Sequence, residues 1–282
     1  MNKVNVIGIG GQRCATTWMF KCLTEHPDVC NIDSKEINFF SDVYHRGYDW
    51  YEKHFSPCPA FKIKIDFSVS YLYDLQAPQR TYEYNPDMKI IACLREPISR
   101  ALDQHLWHIS LGLATGENVD FKNALKVNPM YIEQGLYFKY LKNWLEYFPL
   151  DEKTKVVLVD DIKKNPENVI KSIYDFLGVN HNFRPSILNR EVNKAVIIKS
   201  PGFKRITREI SYFTKKMGGR ILINYLKRKN FDGAIEKLNT KAQNVSIIDI
   251  ESETERKLQE IFQKENEKLS KLIQRDLLEW SR

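Results

Sequence analysis

The chain has 282 residues and a formal net charge of +7, and 43% of its residues are hydrophobic and 12% aromatic. The aromatic content excludes intrinsic disorder, and the 12 glycines and 11 prolines exclude collagen-like and low-complexity classes. Apolar runs such as 90–94 and 156–159 are far shorter than the roughly 18 residues that cross a bilayer, so no transmembrane segment is expected. The composition predicts a globular protein of one large domain or two small ones.

Strand and helix patterns alternate over the first part of the chain. An alternating run at 4–9 ends in glycines and predicts a buried strand that enters a tight turn. Residues 16–25 then carry apolar side chains at helical spacing. Further strands are predicted at 63–67, 89–94 and 155–159, and further helices at 98–113 and 166–177. This alternation predicts a parallel sheet that is covered by helices on both faces.

Beyond Gly178 the strand patterns vanish. Helices are predicted at 203–217, 221–229 and 253–280, after an irregular stretch at 180–202. We expect a single domain, with an α/β core over 1–178 and a loop and helical C-terminal part over 179–282.

Positive charge is concentrated in one region. Residues 184–229 contain thirteen Lys or Arg and two Glu, a net charge of +11, which leaves −4 for the rest of the chain. Such a segment predicts an anionic ligand, and a non-catalytic polyanion-binding protein is one hypothesis that it supports. A solvated helix face is the alternative interpretation of the same residues.

The five cysteines predict reduced thiols. Their number is odd and no two form a Cys-x-x-Cys pair, so neither a disulfide framework nor a zinc site is expected. The N-terminal residues also lack the apolar segment of a secretory signal. Together these features predict a cytoplasmic protein without a bound metal. The cysteines are Cys14, Cys22, Cys30, Cys58 and Cys93.

The first predicted turn, 8–17, has the composition of a phosphate-binding loop. Its glycines let backbone N–H groups converge, Arg13 supplies a cation, and Thr16 and Thr17 start a helix whose dipole favours an anion. Arg13 stands where a dinucleotide fingerprint needs its third glycine, and the lysine of a Walker loop is missing. The sequence therefore predicts a phosphate-type cradle without an evident magnesium site, and a P-loop-type phosphotransferase is kept as an alternative.

This loop resembles that of the sulfotransferases that use 3′-phosphoadenosine 5′-phosphosulfate (PAPS). Their loop has the form Gly-x-x-Lys/Arg-x-Gly-Thr-Thr, and residues 10–17 match it with an arginine for the lysine and an alanine for the second glycine. The resemblance implies a P-loop-like three-layer α/β/α fold, with 1–178 as the cofactor-binding core. It also implies that the 5′-phosphosulfate is held by Gly10, Gly11, Gln12, Arg13, Cys14, Ala15, Thr16 and Thr17.

Two further segments carry the resemblance. The run Lys35 to Phe40 is similar to the Lys-Glu-x-x-Phe-Phe segment of bacterial members and of the glycosaminoglycan sulfotransferase branch, which implies that Glu36 is the catalytic base. Residues 95–103 resemble Arg-x-Pro-x-x-Arg-Ala-x-Ser, in which Asp103 replaces the serine that binds the 3′-phosphate. These matches imply that Arg95, Ser99 and Arg100 also bind the cofactor. A similar Val-Asn-Lys segment at 192–194 adds Lys194.

The implied reaction moves a sulfuryl group from PAPS to a hydroxyl or amine of a carbohydrate-like acceptor and leaves adenosine 3′,5′-bisphosphate. Arg13 stabilises the leaving phosphate and Glu36 takes the proton of the acceptor. His108, on the predicted helix 98–113, is a candidate second acid or base. Asp66 lies at the end of a predicted strand, where its carboxylate could orient a lysine or the acceptor. Neither a metal nor nucleic acid as the primary ligand is expected.

Overall fold

The computed structural model describes residues 3–30, 32, 35–58, 63–190 and 250–281, and the backbone of 197–198 and 240–241. The chain divides into two compact units. The first comprises Met1–Ala101, Ile132–Asn193 and Glu255–Arg282, and the second comprises Leu102–Tyr131 and Lys194–Thr254. Lys194, the predicted helices at 203–217 and 221–229 and most of the basic segment 184–229 lie outside the described residues. The division of a single domain at residue 178 stays a prediction.

A parallel sheet forms the centre of the first unit. Its strands are β1 (Val6–Gly10), β2 (Val29–Cys30), β3 (Ile63–Phe67), β4 (Lys89–Leu94) and β5 (Thr154–Leu158), in the order β2-β3-β1-β4-β5. Every residue of β1 is buried, as expected for a strand covered on both faces. Ile7 pairs with Asp66 of β3 and with Ile90 of β4. The order therefore brings the C-terminal ends of β1, β3 and β4 together, where parallel sheets place their ligands.

Helices connect the strands, and four of those described begin within one residue of the predicted starts at 16, 98, 166 and 253. The helix after β5 runs from Pro166 to Leu177, as the sequence predicts, because Asn165 caps its first turn and Gly178, with φ of 75°, ends it. Within the described residues the helices are α1 (Thr16–Thr24), α2 (Tyr48–Glu52), α3 (Ser70–Tyr73), α4 (Ala77–Tyr84), α5 (Pro97–Ser110), α6 (Phe121–Val127), α7 (Met130–Glu133), α8 (Tyr137–Tyr147), α9 (Val159–Lys164), α10 (Pro166–Leu177) and α11 (Ser252–Ile273).

Two predictions for the C-terminal part are wrong. The predicted helix 253–280 ends at Ile273, because Gln274 takes a left-handed conformation with φ of 53°, and a separate 3₁₀ helix follows at Leu278–Ser281. Strands also occur beyond Gly178, since β6 (Ile197–Ile198) and β7 (Thr240–Lys241) form an antiparallel pair. Strands of two residues are too short to leave a periodic pattern in the sequence.

Cys30 and Cys58 form a disulfide, with their Cα atoms 5.6 Å apart, which corrects the expectation of five reduced thiols. The two residues are 28 positions apart, so only the path of the chain brings them together. The other three cysteines are buried thiols. Because stable disulfides are rare in the cytosol, the cysteines no longer support a cytoplasmic location. Among the described helices, none is long and apolar enough to cross a membrane.

Candidate active site

The loop after β1 folds back on the sheet before α1 begins. The Gly11 N–H donates to the Cys93 carbonyl at 3.0 Å, and the Cys14 N–H donates to the Gly11 carbonyl at 3.1 Å. Arg13 and Ala15 both have a left-handed backbone, with φ of 70° and 57°. Glycine adopts this conformation without steric cost, which accounts for the second glycine of the family pattern at the position of Ala15. The predicted glycine turn is therefore present, and an alanine completes it.

Lys35 connects this loop to Glu36. Its Nζ donates to Thr16 Oγ1 at 3.3 Å and to Glu36 Oε1. The ammonium group therefore lies at the N-terminus of α1, where the helix has no acidic residue in its first turn. The sequence alone indicated no role for Lys35. Its position beside Glu36 in the Lys-Glu pair was the signal that could have identified it.

Glu36 is held by backbone and side-chain hydrogen bonds. Its φ is 61°, and its N–H donates to the Phe67 carbonyl at the end of β3, at 2.9 Å. The Oε2 atom accepts the Val69 N–H at 2.9 Å, while Oε1 accepts from Lys35. The Glu36 side chain remains 35% exposed. The carboxylate is thus fixed next to the loop and still open to solvent.

A second carboxylate, that of Asp66, lies buried at the end of β3. It accepts hydrogen bonds from three hydroxyls: Tyr51 at 3.1 Å, Ser68 at 2.9 Å and Tyr71 at 2.5 Å. Burial raises the pKa of Asp66 to about 6, although the three hydroxyls lower it. The sequence indicated that Asp66 ends a strand near the site, but not that hydroxyls would surround it.

The residues that follow β4 occupy different environments. Arg95 Nη1 donates to the Arg13 carbonyl at 3.4 Å, so this guanidinium lies beside the loop, and its contact with a cofactor stays a prediction. The Ser99 N–H, in the first turn of α5, donates to the Glu96 carboxylate at 2.6 Å. Arg100 is completely buried, and its Nη1 donates to the Gln134 side chain at 3.4 Å. Cofactor contacts by Ser99 and Arg100 stay predictions.

His108 lies in the second unit at one end of a hydrogen-bonded series. His105 Nε2 donates to the Val119 carbonyl at 2.9 Å, and burial lowers the His105 pKa, which favours the neutral ring. His105 Nδ1 must then accept from the Tyr131 hydroxyl at 3.1 Å, whose oxygen accepts from His108 Nδ1 at 2.7 Å. In this arrangement His108 Nδ1 carries the proton that it donates to Tyr131. His108 also lines a cavity of about 190 Å³.

Asp103 lies on α5 within the second unit, whereas Glu36, Arg13, Thr16 and Arg95 belong to the first unit. Among the described residues, no cluster of three or more His, Cys, Asp or Glu side chains has the arrangement of a metal site. The residues that the structure brings together are therefore the loop 10–17, Lys35 with Glu36, and Arg95.

A glycine turn between a central parallel strand and a helix, with cations and a carboxylate beside it, is an arrangement in which α/β folds bind anions. The sulfotransferase domain model matches residues 4–216, and the chain therefore belongs to the sulfotransferase family. The resemblance that rests on the three sequence motifs is confirmed.

Individual relatives show the same similarity. Heparan sulfate glucosamine 3-O-sulfotransferase 6 of Mus musculus is 30% identical over 176 residues, which cover 61% of this chain and 51% of that protein. Heparan sulfate glucosamine 3-O-sulfotransferase 5 of Homo sapiens is 28% identical over 183 residues, which cover 61% and 52%. The chain spans about half the length of the curated relatives it matches.

Among solved structures, a sulfotransferase from Alicyclobacillus acidocaldarius matches the whole of both chains with a TM-score of 0.71 and 21% identity. This match confirms the predicted P-loop-like α/β fold around a parallel sheet. The predicted helical C-terminal third lies largely outside the described residues.

Proposed function

We propose that this protein transfers a sulfuryl group from PAPS to a hydroxyl or amine of a carbohydrate acceptor. The observation that carries the proposal is the contact of one ammonium group, that of Lys35, with both Thr16 at the phosphate-type loop and Glu36. An anion held at the loop is thereby adjacent to a carboxylate that can accept a proton. Family membership supports the same reaction class.

The residues around the loop have the chemistry that a phosphosulfate requires. Lys35 and Arg13 are cations, Thr16 and Thr17 carry hydroxyls, and the first turn of α1 contains no acidic side chain. When bound, PAPS supplies an activated sulfuryl group and a phosphate that leaves with the electrons of the broken S–O bond. The two cations stabilise the negative charge that develops on this phosphate, in the way that fixed charges act in phosphoryl transfer.

Glu36 is the proposed general base. Its Oε1 and Oε2 atoms are oriented by Lys35 and by the Val69 N–H, so the carboxylate has little freedom to turn away from the loop. It takes the proton from the acceptor as the bond between the acceptor and sulfur forms. General bases typically contribute about 10²- to 10⁴-fold to the rate.

The carbohydrate class of the acceptor rests on the relatives, whose names describe sulfation of heparan sulfate glucosamine. We therefore propose a glycan acceptor of this kind, and a panel of radiolabelled transfer reactions tests it. Desulfated heparan sulfate, chitin oligosaccharides and 4-nitrophenol are offered with PAPS. Faster transfer to 4-nitrophenol than to either glycan would contradict a carbohydrate acceptor. Salt-sensitive heparin binding without any transfer would instead favour the polyanion-binding hypothesis.

Binding of adenosine 3′,5′-bisphosphate tests the proposed donor without any acceptor. A ligand that binds only the folded state adds about 2.7 kcal/mol of stability at 100 times its dissociation constant, which raises the melting temperature by several degrees. The measurement is a thermal shift with adenosine 3′,5′-bisphosphate, with ATP and NAD as comparisons. A shift with ATP alone would refute the PAPS assignment and favour a phosphotransferase.

Substitution of Glu36 by glutamine tests the proposed base, because glutamine keeps the shape of the side chain but cannot accept a proton at neutral pH. We expect kcat to fall at least about 100-fold while the affinity for adenosine 3′,5′-bisphosphate stays within twofold. Glu83→Gln is the matched control, since Glu83 is an exposed glutamate on α4. Retention of most activity in Glu36→Gln would make His108 the leading candidate for the base.

A further inference from the structure

Two consecutive backbone amides that follow Glu36 are held by side-chain hydroxyls. The Asn38 N–H donates to Ser68 Oγ at 3.0 Å, and the Phe39 N–H donates to the Tyr71 hydroxyl oxygen at 2.8 Å. An N–H group can only donate, so the direction of both hydrogen bonds is fixed. The protons of the two hydroxyls must therefore be directed to other acceptors.

Both hydroxyl protons are directed to Asp66. Ser68 Oγ lies 2.9 Å from Oδ1, and the Tyr71 hydroxyl lies 2.5 Å from Oδ2. Asp66 is completely buried, and an ionised carboxylate is an acceptor only. The buried charge thus determines the orientation of each hydroxyl, and each oriented hydroxyl holds one amide. Hydrogen bonds of this kind, in which the acceptor is charged, are roughly twice as strong as neutral ones.

The two amides belong to a strained turn. Glu36 and Asn38 have φ of 61° and 56°, in the left-handed region, which asparagine tolerates but which strains the backbone of a glutamate. Such strain persists only where the surrounding structure fixes it, and it is concentrated at functional sites. The Glu36 N–H provides a third attachment, to the Phe67 carbonyl of β3. Three N–H groups therefore fasten the turn to the end of β3, and two of them depend on Asp66.

We propose that Asp66 is a positioning residue for sulfuryl transfer: through Ser68 and Tyr71 it holds the turn that places the Glu36 carboxylate for proton removal. The inference rests on the proposed function, because it takes Glu36 to be the base. Asp66 itself touches no substrate. It acts on the reaction only through the geometry of the 36–39 turn.

Ser68 offers the mildest test, because alanine removes its hydroxyl and threonine keeps it. The assay measures kcat and KM for PAPS, with the acceptor of the panel above that supports the fastest transfer. We expect Ser68→Ala to lower kcat about 10-fold and Ser68→Thr to restore it, with KM for PAPS within twofold in both variants. Asp66→Asn, which disturbs both hydroxyls, is expected to lower kcat about 100-fold, as a misplacement of reacting groups by about 1 Å does.

A merely structural role predicts a different result. Ser68→Ala would then lower the melting temperature but leave kcat unchanged, once the concentration of folded enzyme is counted by titration with adenosine 3′,5′-bisphosphate. That result would overturn the proposal. If Asp66→Asn does not fold, the Ser68 pair decides the question alone.

The double variant Asp66→Asn with Glu36→Gln separates the positioning role of Asp66 from the role of Glu36 as the base. Because Asp66 acts through Glu36, we expect the double variant to keep the residual kcat of Glu36→Gln. A further 100-fold fall would overturn the proposal and leave Glu36 as the base, as would wild-type kcat in Asp66→Asn beside a slow Glu36→Gln. Wild-type kcat in Glu36→Gln would refute the base itself, and the positioning role would fall with it.

Discussion

The buried carboxylate of Asp66 gives the folding stability a pH dependence of defined sign. Burial raises its pKa from 3.8 to about 6, so between these values the folded protein keeps a proton that the unfolded chain releases. Stability therefore falls as the pH rises through this range. At 1.36 kcal/mol per pKa unit, the full shift corresponds to about 3 kcal/mol, of which about 2 kcal/mol is lost between pH 4 and pH 7.

The neighbours of Asp66 act in opposite directions on this value. Burial is the largest effect and disfavours the charge, and the carboxylate of Glu36 adds to it. The hydroxyls of Tyr71, Ser68 and Tyr51 favour the charge. Burial also raises the pKa of Tyr51 and of Tyr71 well above their ordinary values, so both phenols stay protonated over the range that matters. Among Asp66, Tyr51 and Tyr71, only the Asp66 carboxyl group therefore titrates between pH 4 and pH 7.

The assay compares urea unfolding of the wild type and of Asp66→Asn at several pH values between 4 and 7.5. Asparagine does not titrate, so the difference between the two free energies of unfolding should fall by about 2 kcal/mol as the pH rises. Constant losses from altered hydrogen bonds cancel in this comparison. Asp49→Asn, at an exposed aspartate of α2, is the matched control. Parallel curves for the wild type and Asp66→Asn would refute the reasoning.

Two further predictions concern the loop and the second unit. Gly10→Ala should lower the free energy of unfolding by about 1–3 kcal/mol, since its Cβ would lie 2.8 Å from the Cys93 carbonyl oxygen in the rigid β4 backbone; unchanged urea unfolding would contradict this close contact. Tyr131→Phe should lower the free energy of unfolding by about 1–3 kcal/mol, because the ring nitrogens of His105 and His108 both lose a hydrogen-bond partner. The proton of His108 should then no longer be confined to Nδ1. Nitrogen-15 NMR of the imidazoles measures the tautomer, and an unchanged His108 spectrum would show that Tyr131 does not set it.

The local pattern of the chain was sufficient to predict the core of the fold. The strands at 63–67 and 89–94 and the helix at 166–177 were predicted at their observed bounds, because hydrophobic periodicity and capping residues act over a few positions. The family was likewise recognisable from short motifs in a fixed order. The glycine turn was predictable for the same reason, since its conformational requirement is local.

The tertiary structure decided the features that join distant parts of the chain. Lys35 reaches Thr16 because β3 lies beside β1 in the sheet, and the Tyr51 hydroxyl reaches Asp66 from α2, 15 residues earlier in the chain. The pairing of Cys30 with Cys58 has the same origin. Motif spacing indicates which residues share a function. The contacts of these residues, their burial and the protonation of their buried groups depend on how separate segments pack. For this reason the sequence by itself determined the fold class, the family and the candidate base, and folding alone determined which groups orient that base.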